Sequence, residues 1–191
     1  MLTGTLPHRQ CRIPCRSILG NRTISDKLEI RRLRDTHDPA VAQLVAKSDE
    51  YLSSLYPPQS NHAENLDVLV GENSAFFIGY LGAELVACGA VKIAEDGGVY
   101  GEVKRVFVAE GHRGKNSATA IMQHLEDYLR HSGIDIVRLE AGPRQPAALN
   151  FYRKLGYRER GPFGGYAADP LSVFMEKTLL RRRTTTLTHK T

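Results

Sequence analysis

Residues 99–131 constrain the fold more than any other stretch, because a strand, a short cationic glycine loop and a strongly amphipathic helix follow one another without interruption. Val99–Val108 reads as a long strand after the turn signal Asp96-Gly97-Gly98. Ala118, Ile121, Met122, Leu125, Tyr128 and Leu129 then recur at helical spacing, with Gln123, Glu126, Asp127 and Arg130 on the other side, and His131-Ser132-Gly133 closes the helix. The loop between them is His112-Arg113-Gly114-Lys115-Asn116-Ser117-Ala118. A helix N-terminus presents unpaired N–H groups and a partial positive charge, which suit a phosphate. Gly114 and Ala118 permit close approach, and Arg113 and Lys115 add charge. A nucleotide P-loop needs Gly at 109 and Ser or Thr at 116; the chain has Ala109 and Asn116 and fails at both.

The flanking pattern extends this unit. Lys27–Arg34 alternates apolar and charged residues like a half-covered strand. Asp38-Pro39 predicts an N-cap and first turn for an amphipathic helix over 39–55, which Tyr56-Pro57-Pro58 stops. A short helix is expected within 60–70, a hairpin at Ala75–Leu81 and Glu84–Ile93, and a strand at Ile134–Leu139. Pro146 and Gly156 bracket a helix at 146–155, and Tyr157–Gly161 and Ser172–Leu179 read as the last strands. The predicted class is α/β: a central mixed, mostly antiparallel sheet with helices on both faces.

The net charge of +5 invites a nucleic-acid reading until it is located. Arg9, Arg12, Arg16 and Arg22 in residues 1–25, and Arg181, Arg182, Arg183 and Lys190 in residues 181–191, stand without a single acid. Those eight cations leave residues 26–180 at −3, so the expected folded domain, 26–180, is mildly acidic and no nucleic-acid partner is expected. Residues 1–25 lack the apolar core of a secretory signal; a transit peptide, an unstructured extension and an upstream start codon all fit their composition. No run approaches the roughly 18 apolar residues of a membrane span, so no membrane partner is expected. Cys11 and Cys15 have no second ligand pair at metal spacing and Cys88 stands alone, which predicts free thiols, no metal and a reducing, cytoplasmic compartment.

Three segments resemble one family. Arg113–Ala118 is similar to the Q/R-x-x-G-x-G/A pyrophosphate loop of the GNAT family of N-acetyltransferases, with Asn116 where the first family glycine is usual. Val103–Val108 resembles the preceding family strand, and Ala148–Tyr157 resembles the A-x-x-x-Y-x-K-x-G-F segment. The resemblance spans residues 27–180 and implies the acyl-CoA N-acyltransferase fold, with acetyl-CoA as acyl donor, an amine as acceptor and room for a homodimer. It implies cofactor contacts from the main chain of Val106, Phe107 and Val108, and from Arg113, Gly114, Lys115, Asn116, Ser117, Ala118 and Thr119. Gln145 stands where the family usually has a cofactor-contacting Asn.

The resemblance implies direct attack by a neutral amine with no acyl-enzyme. Deprotonating a lysine-like amine at pH 7 costs about 4.6 kcal/mol and an α-amine about 1.4 kcal/mol, so a base matters most for the former. Glu102 resembles a position of a catalytic Glu in some members; its bland alternative is a solvated carboxylate paired with Lys104 or Arg105. Tyr152 matches the Tyr that protonates the leaving thiolate, against a packing role without the motif. Acceptor-side candidates are Tyr56, Asn61, His62 and Tyr166, with Tyr51 closer to core than to site. A non-catalytic acetyl-CoA sensor is the alternative function.

Overall fold

The computed structural model describes residues 27–58 and 64–180. Seven strands form one sheet in the order β1-β2-β3-β4-β5-β7-β6. These are β1 (Glu29–Arg32), β2 (Ser74–Leu81), β3 (Glu84–Glu95), β4 (Val99–Val108), β5 (Ile136–Ala141), β6 (Arg158–Arg160) and β7 (Val173–Thr178). The helices are α1 (Pro39–Leu55), the single turn α2 (Leu66–Leu69), α3 (Ser117–His131) and α4 (Pro146–Lys154). All neighbours run antiparallel except β4 and β5, which are parallel.

Local chemistry accounts for several boundaries. Asp38 caps α1 by accepting from the Ala40 N–H at 2.8 Å, with Pro39 at the first helical position; such a cap contributes about 1 kcal/mol. Asn65 caps α2 in the same way through the Asp67 N–H. Gly133, at φ 77°, ends α3, and the Ile134 N–H returns to the Leu129 carbonyl at 2.9 Å.

Helices cover both faces. The apolar stripe of α3 (Ile121, Met122, Leu125 and Leu129) is wholly buried against Ala87, Val91, Val103, Val137 and Leu139. Each of those side chains contributes about 1.5–3 kcal/mol by leaving water. The approach is close: a Cβ on Gly101 would lie 2.4 Å from Leu129, and one on Gly89 2.7 Å from Ile121. On the opposite face Val41, Leu44 and Leu69 meet Phe76, Ile78, Cys88 and Phe107. Glu126 of α3 is buried but satisfied, by Lys177 at 2.7 and 2.8 Å, Arg130 at 3.3 Å and the Tyr157 hydroxyl at 3.1 Å. This network pins α3 to β7.

Two irregularities of β4 position the site. Cys88 faces Phe107 and Ala90 faces Lys104, so β4 carries one residue more than β3 across that interval. This is a β-bulge, and within it Arg105 takes a left-handed φ of 50°. A non-glycine residue there costs about 1 kcal/mol. Arg105 is held by Asp49 at 2.6 Å and by the Glu64 carbonyl at 2.7 Å. In addition, the parallel pairing of β4 with β5 stops at Val103 opposite Leu139. Beyond it β5 stays with β7 to Ala141 while β4 stays with β3 to Val108, so the two strands part. Among the described residues, no helix is long and apolar enough to cross a membrane.

Candidate active site

The parting of β4 and β5 opens a cleft of about 140 Å³. Val103–Phe107 form one wall, Glu140–Gly142, Gln145, Ala148 and Tyr152 the other, and Ser48, Tyr51, Leu52 and Tyr56 of the α1 segment the roof, with Leu171 at the edge. From Lys104 onward the side of β4 facing β5 has no strand partner, and the bulge turns its main chain into this cleft.

The loop after β4 leads to the N-terminus of α3. Asn116 occupies the left-handed region, φ 63° and ψ 4°, and its side chain caps nothing. Asn is among the few non-glycine residues that adopt this geometry readily, so the substitution of the usual family glycine keeps the loop shape. The first helical bond runs from the Ala120 N–H to the Asn116 carbonyl, which leaves the Ser117, Ala118 and Thr119 amides without intrahelical partners. Gly114, at φ 75°, has open space where a side chain would stand. The cations of the loop fold back: Arg113 donates to the Val108 carbonyl at 3.0 Å and lies over the rings of Tyr51 and Phe107, while Lys115 donates to the Gly111 carbonyl at 3.1 Å. An exposed, uncapped helix end beside a glycine and two cations fits a diphosphate.

Tyr152 is buried in the cleft wall with its ring against Phe151 and Tyr157. Among the described residues nothing accepts from its hydroxyl. Burial pushes its ionisation well above the ordinary value of 10, and the Glu140 carboxylate pushes it further, so the hydroxyl keeps its proton at neutral pH. Gln145 precedes α4 without a side-chain cap bond and lines the same cleft. Tyr56 is buried there as well: its hydroxyl accepts from the Arg144 N–H at 2.8 Å, and a Cβ on Gly142 would lie 2.0 Å from it. It clamps α1 to the β5–α4 loop and lines this cleft rather than the cavity beyond.

Glu102 faces that second cavity, of about 1030 Å³, under residues 164–170. It is buried, yet not solvated as in the bland reading: Lys104 lies 3.0 Å from its Oε1 and the Tyr166 hydroxyl donates to the same oxygen at 2.7 Å. Tyr166 also contacts Lys104 Nζ, and Lys104 lines both cavities. The sequence reading paired Glu102 with Lys104 or Arg105; Arg105 goes to Asp49 instead. Asn61 and His62 lie outside the described residues. Cys88 is buried, with its Sγ 3.4 Å from the Arg105 carbonyl, and burial pushes its thiol up to about 12, which leaves it protonated and no nucleophile. Among the described residues no group of His, Cys, Asp and Glu is arranged to hold a metal.

Sequence reasoning missed Lys104 and Glu140. Both had a signal: Lys104 shares a strand face with Glu102 two residues away, and Glu140 breaks the buried alternation Val137, Leu139, Ala141.

The comparisons agree with this architecture. The model of the acetyltransferase (GNAT) family matches residues 39–157. The chain is similar to a protein named IAA acetyltransferase from Azospirillum brasilense, 43% identical over 140 residues, covering 73% of this chain and 91% of the relative. It is also similar to the Bacillus subtilis N-acetyltransferase YsnE, 34% identical over 142 residues, covering 72% and 93%. A Klebsiella pneumoniae structure assigned as an acyl-CoA N-acyltransferase superposes with a TM-score of 0.66 at 32% identity, covering 81% of this chain and 99% of that one. The fold alone is shared with a Thermoplasma acidophilum PaiA N-acetyltransferase solved with coenzyme A, at a TM-score of 0.63 and 15% identity over 80% of this chain and 99% of that one. With a family model covering most of the folded part and relatives above 30% identity along it, the chain belongs to the GNAT family of acyl-CoA-dependent N-acetyltransferases.

Proposed function

We propose that the protein transfers acetyl from acetyl-CoA directly to a small-molecule amine, with the two cavities on either side of Lys104 as donor and acceptor sites. The observation that carries this reading is the cleft where β4 and β5 part, because it brings Val103–Phe107 main chain face to face with Tyr152. The Gly114–Thr119 amides and the loop cations hold the diphosphate, and Val106–Val108 and Gln145 line the path of the pantetheine arm. The name of the A. brasilense relative supports acetyl as the acyl group.

Acetyl-CoA supplies the activated thioester when bound. The chain's own groups do the rest. A main-chain N–H in Val106–Val108 donates to the carbonyl oxygen and takes up the charge that develops there. Glu102 receives the proton that the amine loses as the N–C bond forms. Tyr152 gives its proton to the sulfur as the C–S bond breaks. Holding both reactants at the junction lowers the barrier by proximity, an effect worth up to about 7–11 kcal/mol in favourable cases. The small acceptor follows from the enclosed cavity under residues 164–170, which suits a compact molecule.

Thiol release from acetyl-CoA, followed with a panel of amines, tests the proposal. Amine-dependent release that Tyr152→Phe slows supports it. Release that needs no amine, or none with any amine at millimolar concentrations, contradicts it.

A further inference from the structure

The cavity beyond Glu102 has an uneven charge. It is lined by the acids Glu64, Glu95, Glu102 and Asp169 and by the cations Lys92 and Lys104. Both cations are already used. Lys92 donates to Glu64 at 2.8 Å, and Lys104 stands 3.0 Å from Glu102 and 3.8 Å from Glu64. Neither lysine is left to receive a carboxylate from a substrate.

Acceptor capacity, by contrast, is in surplus. Among the described residues Glu95 and Asp169 form no ion pair; Asp169 Oδ1 takes only the Leu171 N–H at 2.8 Å. Glu64 Oε2 is buried and, among the described residues, receives no hydrogen bond. A buried carboxylate oxygen without a donor is costly, and a donor-rich ligand relieves it. The remaining walls are Tyr100, Tyr166, alanines and Pro170, which suit a short hydrocarbon.

We infer that the acceptor cavity selects a compact amine whose far end carries a second positive charge, and discriminates against amines whose far end is a carboxylate. The inference rests on the acetyltransferase reading above and adds the class of acceptor. The attacking nitrogen lies toward Glu102 and Lys104, where the two cavities meet, and the second cation lies toward Glu95 and Asp169. A substrate carboxylate there meets two unpaired acids and finds no free cation.

The test compares three acceptors of one chain length: 1,5-diaminopentane, pentylamine and 5-aminopentanoate, each assayed by thiol release from acetyl-CoA with the full chain. The expected order of kcat/KM is diamine, then monoamine, then amino acid, with about tenfold between the extremes at low salt, narrowing as salt screens the charges. In the double variant Glu95→Gln, Asp169→Asn the ratio of diamine to amino acid shrinks severalfold. An amino acid turned over as well as the diamine, or a ratio the double variant leaves unchanged, overturns the inference while leaving acetyl transfer intact. If none of the three releases thiol although acetyl-CoA raises the melting temperature, the catalytic reading falls and the inference with it.

Discussion

The Tyr166 hydroxyl donates to Glu102 Oε1 at 2.7 Å and thereby ties the segment between β6 and β7 to the middle of β4. The same ring packs on Phe163 and Phe174, so the hydroxyl is aimed by a small aromatic cluster of its own. A single bond thus couples the roof of the acceptor cavity to the carboxylate assigned to accept the amine's proton.

Tyr166→Phe removes one of the two donors that orient Glu102. A hydrogen bond to a charged group contributes about 1.5–3 kcal/mol, so kcat/KM for the amine is expected to fall about tenfold or more, with the KM for acetyl-CoA unchanged. Glu102→Gln is expected to hurt strongly basic amines more than weakly basic ones, since the former need a base most. Steady-state kinetics across amines of graded pKa checks both; an equal loss for all amines removes Glu102 as the base.

Tyr152→Phe is expected to lower kcat by about 10²–10³ while acetyl-CoA affinity stays within about twofold. Because burial and Glu140 raise the ionisation of Tyr152, its proton is not lost below the ordinary value of 10. An alkaline fall in kcat below that pH therefore belongs to another group. A wild-type decline there that Tyr152→Phe abolishes contradicts the assignment.

Much of this arrangement is legible from sequence, for physical reasons. The bounds of α1 follow from Asp38-Pro39 and the proline pair after Tyr56, and those of β4 from a double glycine on one side and the helix loop on the other. The motif residues from Gly114 to Thr119 fall at the uncapped helix end as their spacing implies. The bulge does not show, because Arg105 has no intrinsic preference for φ 50° and is placed there by Asp49 and Glu64, far along the chain. Nor does the insertion of β7 between β5 and β6, since strand order depends on how the long 161–172 connection runs over the sheet. Residues 66–69 form the only helical turn within the wider 60–70 expectation among the described residues, beginning where Asn65 caps it.

Asn116 makes a sharper case. At φ 63° glycine is free of strain and a β-branched residue is not. Asn116→Gly is expected to keep coenzyme affinity and stability within a few tenths of a kcal/mol, and Asn116→Val to cost about 1–2 kcal/mol and weaken binding of CoA about tenfold. Calorimetric titration of CoA into each variant decides; equal affinity in the valine variant contradicts the loop geometry.

Alkaline stability follows from three buried groups. Cys88 is pushed up to about 12, and Tyr152 and Tyr157 stand above their ordinary value of 10, all chiefly through burial. For a raised folded-state ionisation, the contribution to stability is complete below the unfolded value and is lost as pH climbs from there toward the folded one. Unfolding at high pH releases these protons, so the urea midpoint is expected to fall from about pH 9 for the thiol, and more steeply above about pH 10, by about 1.4 kcal/mol per pH unit for each group. A midpoint flat to pH 10.5 contradicts their burial.

All of these expectations depend on a coenzyme whose diphosphate sits on the main chain that opens α3. A crystal structure of the complex with CoA measures this directly. The account predicts phosphate oxygens within hydrogen-bond distance of amides between Gly114 and Thr119, with the thiol end pointing between β4 and β5 toward Tyr152. Clear density for CoA lying elsewhere on the molecule contradicts it.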